Sequence, residues 1–179
     1  MIIGIVAVDR NLAIGKDGKL PWHYSADMRF FKETTIGNAV VMGRHTWLTL
    51  KGPLKDRQNI VLSRGDGVHP TASLIIKRDV DEVLDFAANL DCHLFVIGGA
   101  RVYRSFLPHI QRWVVTEIPL SVEDADTLMP ANFLDGFEAY EVRQLEEGLR
   151  VRFYEKHPQI TQISQNEFLP GPGIYEKTS

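Results

Sequence analysis

The chain has 179 residues, 44% of them hydrophobic and 24% charged. That length suffices for one domain with a sizeable core, and the composition excludes a disordered chain. A formal net charge of -3 argues against nucleic acid or an anionic membrane as the main partner, and the lone cysteine, Cys92, excludes an internal disulfide.

The N-terminal run Ile2–Val8 lacks the basic start and cleavage site of a signal peptide, and it is too short to span a bilayer. The expectation is a cytoplasmic protein. Six histidines form no HExxH pair, and one cysteine cannot build a zinc cluster, so no metal is expected. Neither a GxSxG elbow nor a phosphate-binding lysine motif occurs.

Short runs rich in Val and Ile predict buried strands at Ile2–Val8, Ala39–Met42, Asn59–Ser63, Ser73–Lys77, Leu94–Ile97 and Arg112–Ile118. Glu138–Arg143 and Arg150–Glu155 alternate as an antiparallel pair would, with Glu147-Gly148 as turn residues between them. Helices are predicted at Ser25–Thr35 with Ser25 as N-cap, near Arg44, at Asp79–Leu90, and at Gly99–Leu107 before Pro108. Alternating strands and helices argue an α/β class: a mostly parallel sheet with helices on both faces and an antiparallel C-terminal strand. One domain is expected over 1–157. The segment 158–179, with its Pro-Gly-Pro-Gly run, reads as a weakly ordered extension, or as one that docks through Phe168 and Tyr175.

Three segments carry chemistry. Ala13 to Trp22 is a glycine-containing loop that leads into a helix with Asp27 in its first turn. Asp27 there suits the helix dipole as a solvated charge. It also shares a face with Phe31, and a carboxylate beside an aromatic needs a partner such as a cationic or amide-bearing ligand. Val40 to Trp47 passes from a strand through Gly43 to Arg44, His45 and Thr46. This is either a plain strand-to-helix turn or a phosphate-binding helix start. Val96 to Tyr103 repeats the pattern at Gly98-Gly99, where small residues let backbone amides approach a pyrophosphate. Two such turns in one small sheet fit a dinucleotide better than either alone. Arg44, Arg64 and Arg101 near that edge would suit the extra phosphate of NADP.

Taken together, Ile14-Gly15 through Leu20-Pro21-Trp22, Asp27, Gly43-Arg44-His45-Thr46-Trp47, Arg57, Ile97-Gly98-Gly99, Arg101, Tyr103 and Thr116 resemble the dihydrofolate reductase family, over about Met1 to His157. The resemblance implies an eight-stranded, mostly parallel sheet, an NADPH-dependent reduction of dihydrofolate to tetrahydrofolate, a cis Gly98–Gly99 peptide and a monomer. It implies Asp27, Leu20, Trp22 and Tyr103 at the reacting centre, and Ile5, Ala7, Met28, Phe31, Leu50, Leu54, Ile97 and Thr116 around the pterin and benzoyl rings. Arg57 would hold the α-carboxylate of the folate glutamate. Cofactor contacts are implied for Ala7, Ile14, Gly15, Lys16, Leu20, Gly43, Arg44, His45, Thr46, Leu62, Ser63, Arg64, Lys77, Ile97, Gly98, Gly99, Ala100, Arg101, Val102 and Tyr103. The loop from about Asn11 to Tyr24 would close over the nicotinamide. Leu20 stands where many bacterial members carry Met, Ala100 and Ala125 replace common glycines, and Lys51-Gly52 lacks an arginine found near the folate tail in some members. The alternatives are another NADPH-dependent reductase of this fold, of the riboflavin-pathway type, and a non-catalytic NADP-binding module. The first would not need Asp27, Phe31 and Arg57 together.

Overall fold

The Val- and Ile-rich runs assemble into a single sheet in the computed structural model, which describes residues 1–157 apart from residue 66. The expected extension at 158–179, including Phe168 and Tyr175, lies outside the described residues. The strands are β1 (Ile2–Val8), β2 (Ala13–Gly15), β3 (Ala39–Gly43), β4 (Gln58–Leu62), β5 (Leu74–Lys77), β6 (Leu94–Val96), β7 (Arg112–Glu117), β8 (Thr127–Leu128), β9 (Phe137–Gln144) and β10 (Arg150–Lys156). The helices are α1 (Ser25–Thr35), α2 (Arg44–Thr49), α3 (Val80–Ala87) and α4 (Ala100–Phe106).

Eight strands lie in the order β5-β4-β3-β6-β1-β7-β10-β9. All pairs from β5 to β7 are parallel, while β10 is antiparallel to both neighbours and alone runs against the rest. Ala39, Val40, Val41 and Met42 of β3 are fully buried, as expected of a central parallel strand covered on both faces. Alternate residues feed two cores. Val41 and Val96 pack with Val83 of α3 and with Val102 and Phe106 of α4. Val40, Met42 and Phe95 pack with Phe30 of α1, and Trp47 of α2 rests against them. β1 crosses Trp113 at Gly4, where a Cβ would fall 2.3 Å from the indole ring; no side chain fits there.

Several expected boundaries shift. Ser63 falls just outside β4: its amide makes the last ladder bond, to the Lys77 carbonyl (2.9 Å), and its hydroxyl donates to the Gly65 carbonyl (3.2 Å). Asp79 is not in α3 but caps it, accepting from the Glu82 amide at 2.9 Å. Gly99 likewise precedes α4. Ser25 is not the N-cap of α1: that position is Tyr24, which makes no side-chain cap bond. The β2–β8 ribbon was not foreseen; strands of three and two residues carry no readable period. Among the described residues, no helix is long and apolar enough to cross a membrane.

Candidate active site

Adjacent parallel strands β3 and β6 both lead into glycine turns and then helices, so the two turns meet at one sheet edge. The Gly43 amide donates to the Gly98 carbonyl at 2.7 Å, which locks them together. The Gly98–Gly99 peptide is cis, and Gly98 has φ 108, a region side chains rarely adopt. A Cβ at Gly98 would lie 3.1 Å from the Tyr103 ring. No side chain caps α2 or α4, so their first-turn amides are not spent on one. Arg44 reaches across the loop after β4, where its guanidinium lies 3.0 Å from where a Gly67 Cβ would stand. Ser63 and Arg64 follow β4 and Lys77 ends β5, which places them on the same edge; the Lys77 ammonium sits 5.3 Å over the Phe86 ring. His45 and Arg101 are exposed on α2 and α4.

Next to this cationic edge lies an apolar cluster with a buried acid on the same helix as Phe31. Asp27 in the first turn of α1 is 8% exposed, and Thr116 of β7 is 2% exposed. Burial pushes the Asp27 carboxyl up from its ordinary value, while the Thr116 hydroxyl pulls weakly the other way. Ala7 on β1 is in register with Thr116. Ile5 belongs to one apolar cluster with Phe31, Leu50, Leu54 and Ile97. Leu20 and Met28 stay half exposed, at 50% and 51%. Trp22 carries a buried indole N–H with no hydrogen-bond partner, a costly arrangement that an acceptor would relieve. The Tyr103 hydroxyl is spent on the Ile5 carbonyl at 2.7 Å, and burial pushes its pKa far up.

Arg57 is aimed by two bonds, from Nε to the Lys55 carbonyl (2.9 Å) and from Nη1 to the Thr35 hydroxyl (3.0 Å). Thr35 in turn donates to the Phe31 carbonyl at 2.7 Å, which ties the guanidinium to α1. The remaining guanidinium N–H groups keep a fork for a carboxylate. Buried Asn59 was missed in the sequence. Its side-chain oxygen accepts from the Leu54 amide, and its nitrogen donates to the Leu54 and Arg57 carbonyls. A polar amide inside an apolar strand run was the available signal.

The loop from β2 to α1 is pinned from behind. Lys16 and Lys19 close an Asp17-Gly18 turn with reciprocal backbone bonds of 2.9 and 3.0 Å. The Asp126 carboxylate accepts from the Asp17 amide at 2.7 Å, and β8 pairs with β2. Asp9, also missed, is 3% exposed and accepts from three backbone amides: Asn11 (2.8 Å), Ala13 (2.7 Å) and Val122 (2.6 Å).

This arrangement can be set beside known proteins. The sequence profile of the dihydrofolate reductase family matches residues 1–156. The chain belongs to the dihydrofolate reductase family. It is 36% identical over 126 residues to the dihydrofolate reductase of Haemophilus influenzae, covering 70% of this chain and 76% of that protein. The identity to the Staphylococcus haemolyticus enzyme is 32% over 154 residues, covering 86% and 87%. A bifunctional dihydrofolate reductase-thymidylate synthase of Arabidopsis thaliana is 35% identical over 184 residues, but this chain spans only 32% of its length. Among solved structures, the Enterococcus faecalis dihydrofolate reductase complexed with NADP(H) and RAB-propyl superposes with a TM-score of 0.80 at 29% identity. That match covers 88% of this chain and 97% of that one, so the dihydrofolate reductase fold extends across the sheet and both glycine turns.

Proposed function

We propose that this chain reduces 7,8-dihydrofolate to 5,6,7,8-tetrahydrofolate with NADPH, using the buried acid Asp27. It acts as an NADPH-dependent oxidoreductase of one-carbon metabolism, in a single domain over 1–157. The observation that carries the reading is Asp27 itself. An almost fully buried carboxylate beside Phe31 and Ile5, with only a threonine hydroxyl for company, needs a ligand that donates hydrogen bonds. The 2-amino group and N3 of a pterin supply such donors.

The residues present fit the dinucleotide. A Cβ at Gly98 would fill the approach to Tyr103, and the uncapped amides of α2 and α4, together with Arg44, Arg64 and Lys77, suit phosphate. Ser63, Thr46, His45 and Arg101 would complete that side, and Ile14, Gly15, Lys16, Leu20 and Ala7 the nicotinamide side. When bound there, NADPH would supply the hydride for pterin C6, and water would supply the proton that N5 gains.

The protein supplies position and protonation. Asp27 fixes the pterin edge, and because burial raises its pKa it holds a proton to higher pH than an exposed carboxyl does. Leu20 and the loop around it shield the reacting atoms from bulk water. Tyr103 acts by position: its hydroxyl anchors the Ile5 carbonyl, and its ring holds the Gly98 turn. Arg57 binds the glutamate α-carboxylate.

The test is loss of NADPH absorbance with dihydrofolate, for wild type and Asp27→Asn. The expected result is wild-type turnover, with the variant crippled near neutral pH and partly restored by acid. A folded wild type that binds NADPH but does not turn over would overturn the reading.

A further inference from the structure

Helix α1 begins without a cap of its own. Tyr24 at the N-cap offers no side-chain acceptor, and the first-turn amides need one. The acceptor comes from the turn between β9 and β10. Glu147 Oε2 takes the Ala26 amide at 2.7 Å, across 121 positions of sequence. A second contact from the same turn joins Glu146 to Arg29 at 2.8 Å. The turn is shaped for this reach: Glu147 and Gly148 both hold left-handed backbone, at φ 60 and φ 73. Glu147 itself is exposed, so it contributes little to the core.

The capped amide belongs to the residue directly before Asp27. We infer that Glu147 is a positioning residue for Asp27: it caps α1 from the far hairpin and so holds the Asp27 carboxylate in its buried place beside Thr116. This rests on the reading of Asp27 as the pterin-binding acid. Without the cap, the first turn of α1 frays and water reaches Asp27, which lowers its pKa towards the ordinary carboxylate range. Glu147 also carries a negative charge, so charge and cap must be separated. The other charged groups at this junction are Arg29 and Glu33 of α1 and Arg143 and Glu146 of the hairpin, while Tyr103 approaches Asp27 from α4.

The experiment compares Glu147→Ala and Glu147→Gln in the full chain. Gln keeps a carbonyl acceptor and loses the charge. In Glu147→Ala we expect the dihydrofolate KM to rise about fivefold, the effect of one lost cap. The NADPH KM stays unchanged, and the pH profile of hydride transfer moves to lower pH. Glu147→Gln should stay within about twofold of wild type by the same reasoning. Amide hydrogen exchange at Ala26 and Asp27, read without any substrate, should quicken in the Ala variant and not in the Gln variant. The inference is overturned by unchanged exchange, by a Gln variant that behaves like Ala, or by a Glu147→Ala enzyme that loses only thermal stability. If exchange follows the inference but wild type does not reduce dihydrofolate, the cap stands and the assigned reaction fails.

Discussion

The Tyr103 hydroxyl donates a 2.7 Å hydrogen bond to the Ile5 carbonyl, joining α4 to the middle of β1. Ile5 pairs β1 to β7 opposite Val114, two positions before the Ala7–Thr116 pair beside Asp27. The bond therefore connects the glycine turn under Tyr103 with the strand that carries Ala7 opposite Thr116. Replacing Tyr103 with Phe keeps the ring against Gly98 and removes only the donor. A buried carbonyl left unmet costs about 1–3 kcal/mol. The expected outcome is a lower urea midpoint with an unchanged slope, and a fall in hydride-transfer rate that exceeds any change in NADPH affinity.

Burying Asp27 carries a stability cost. Its folded pKa is raised by burial, so the neutral form is favoured in the folded protein. That advantage is fully present below the unfolded carboxylate pKa and is lost as pH rises through the folded value. Asp27→Asn removes the charge and should make the ligand-free protein more stable than wild type near neutral pH. The two should converge in acid. Thermal melts across that pH range check this, and a variant less stable than wild type at neutral pH would contradict the burial argument.

Most of the sheet was legible because a parallel strand covered on both faces must be apolar along its whole length, as Val40–Met42 is. The candidate site was legible where chemistry and secondary structure coincide: Gly43 and Gly98-Gly99 at strand ends, and Asp27 on one helix face with Phe31. The supports were not. Asp9, Asn59 and Glu147 act on backbone groups of other segments, and only the folded chain shows which amides they meet. The Ser25 cap failed for the same reason: local sequence offered a capping residue, but the tertiary structure places the acceptor on a hairpin far along the chain.

Arg57 makes a prediction about substrate shape. Its guanidinium is aimed through Thr35 and the Lys55 carbonyl, so its remaining donors are fixed before any ligand arrives. Loss of a charge-assisted pair is worth about 1.5–3 kcal/mol, or roughly tenfold to a hundredfold in binding. Arg57→Leu should raise the dihydrofolate KM by that factor. A dihydropterin without the benzoylglutamate tail should show no change, because it never reaches Arg57. Equal losses for both substrates would place Arg57 in the fold and not in recognition.

Asp9 tests how the loop before α1 is held. Its Oδ1 takes the Asn11 and Ala13 amides at the start of that loop, while Oδ2 takes Val122 from the segment before β8. Asp9→Asn keeps an oxygen for the first pair but turns an N–H₂ group towards the Val122 amide. Donor then faces donor at a buried position, and the expected destabilisation is about 1–3 kcal/mol. The neighbouring link, from the Asp17 amide to Asp126, spans the same two segments. If the two clasps work as a unit, Asp9→Asn and Asp126→Asn should be less than additive in their effect on hydride transfer, because the first break already frees the loop. Strictly additive losses, measured in a double-mutant cycle by single-turnover kinetics, would show that each clasp holds only its own stretch of chain.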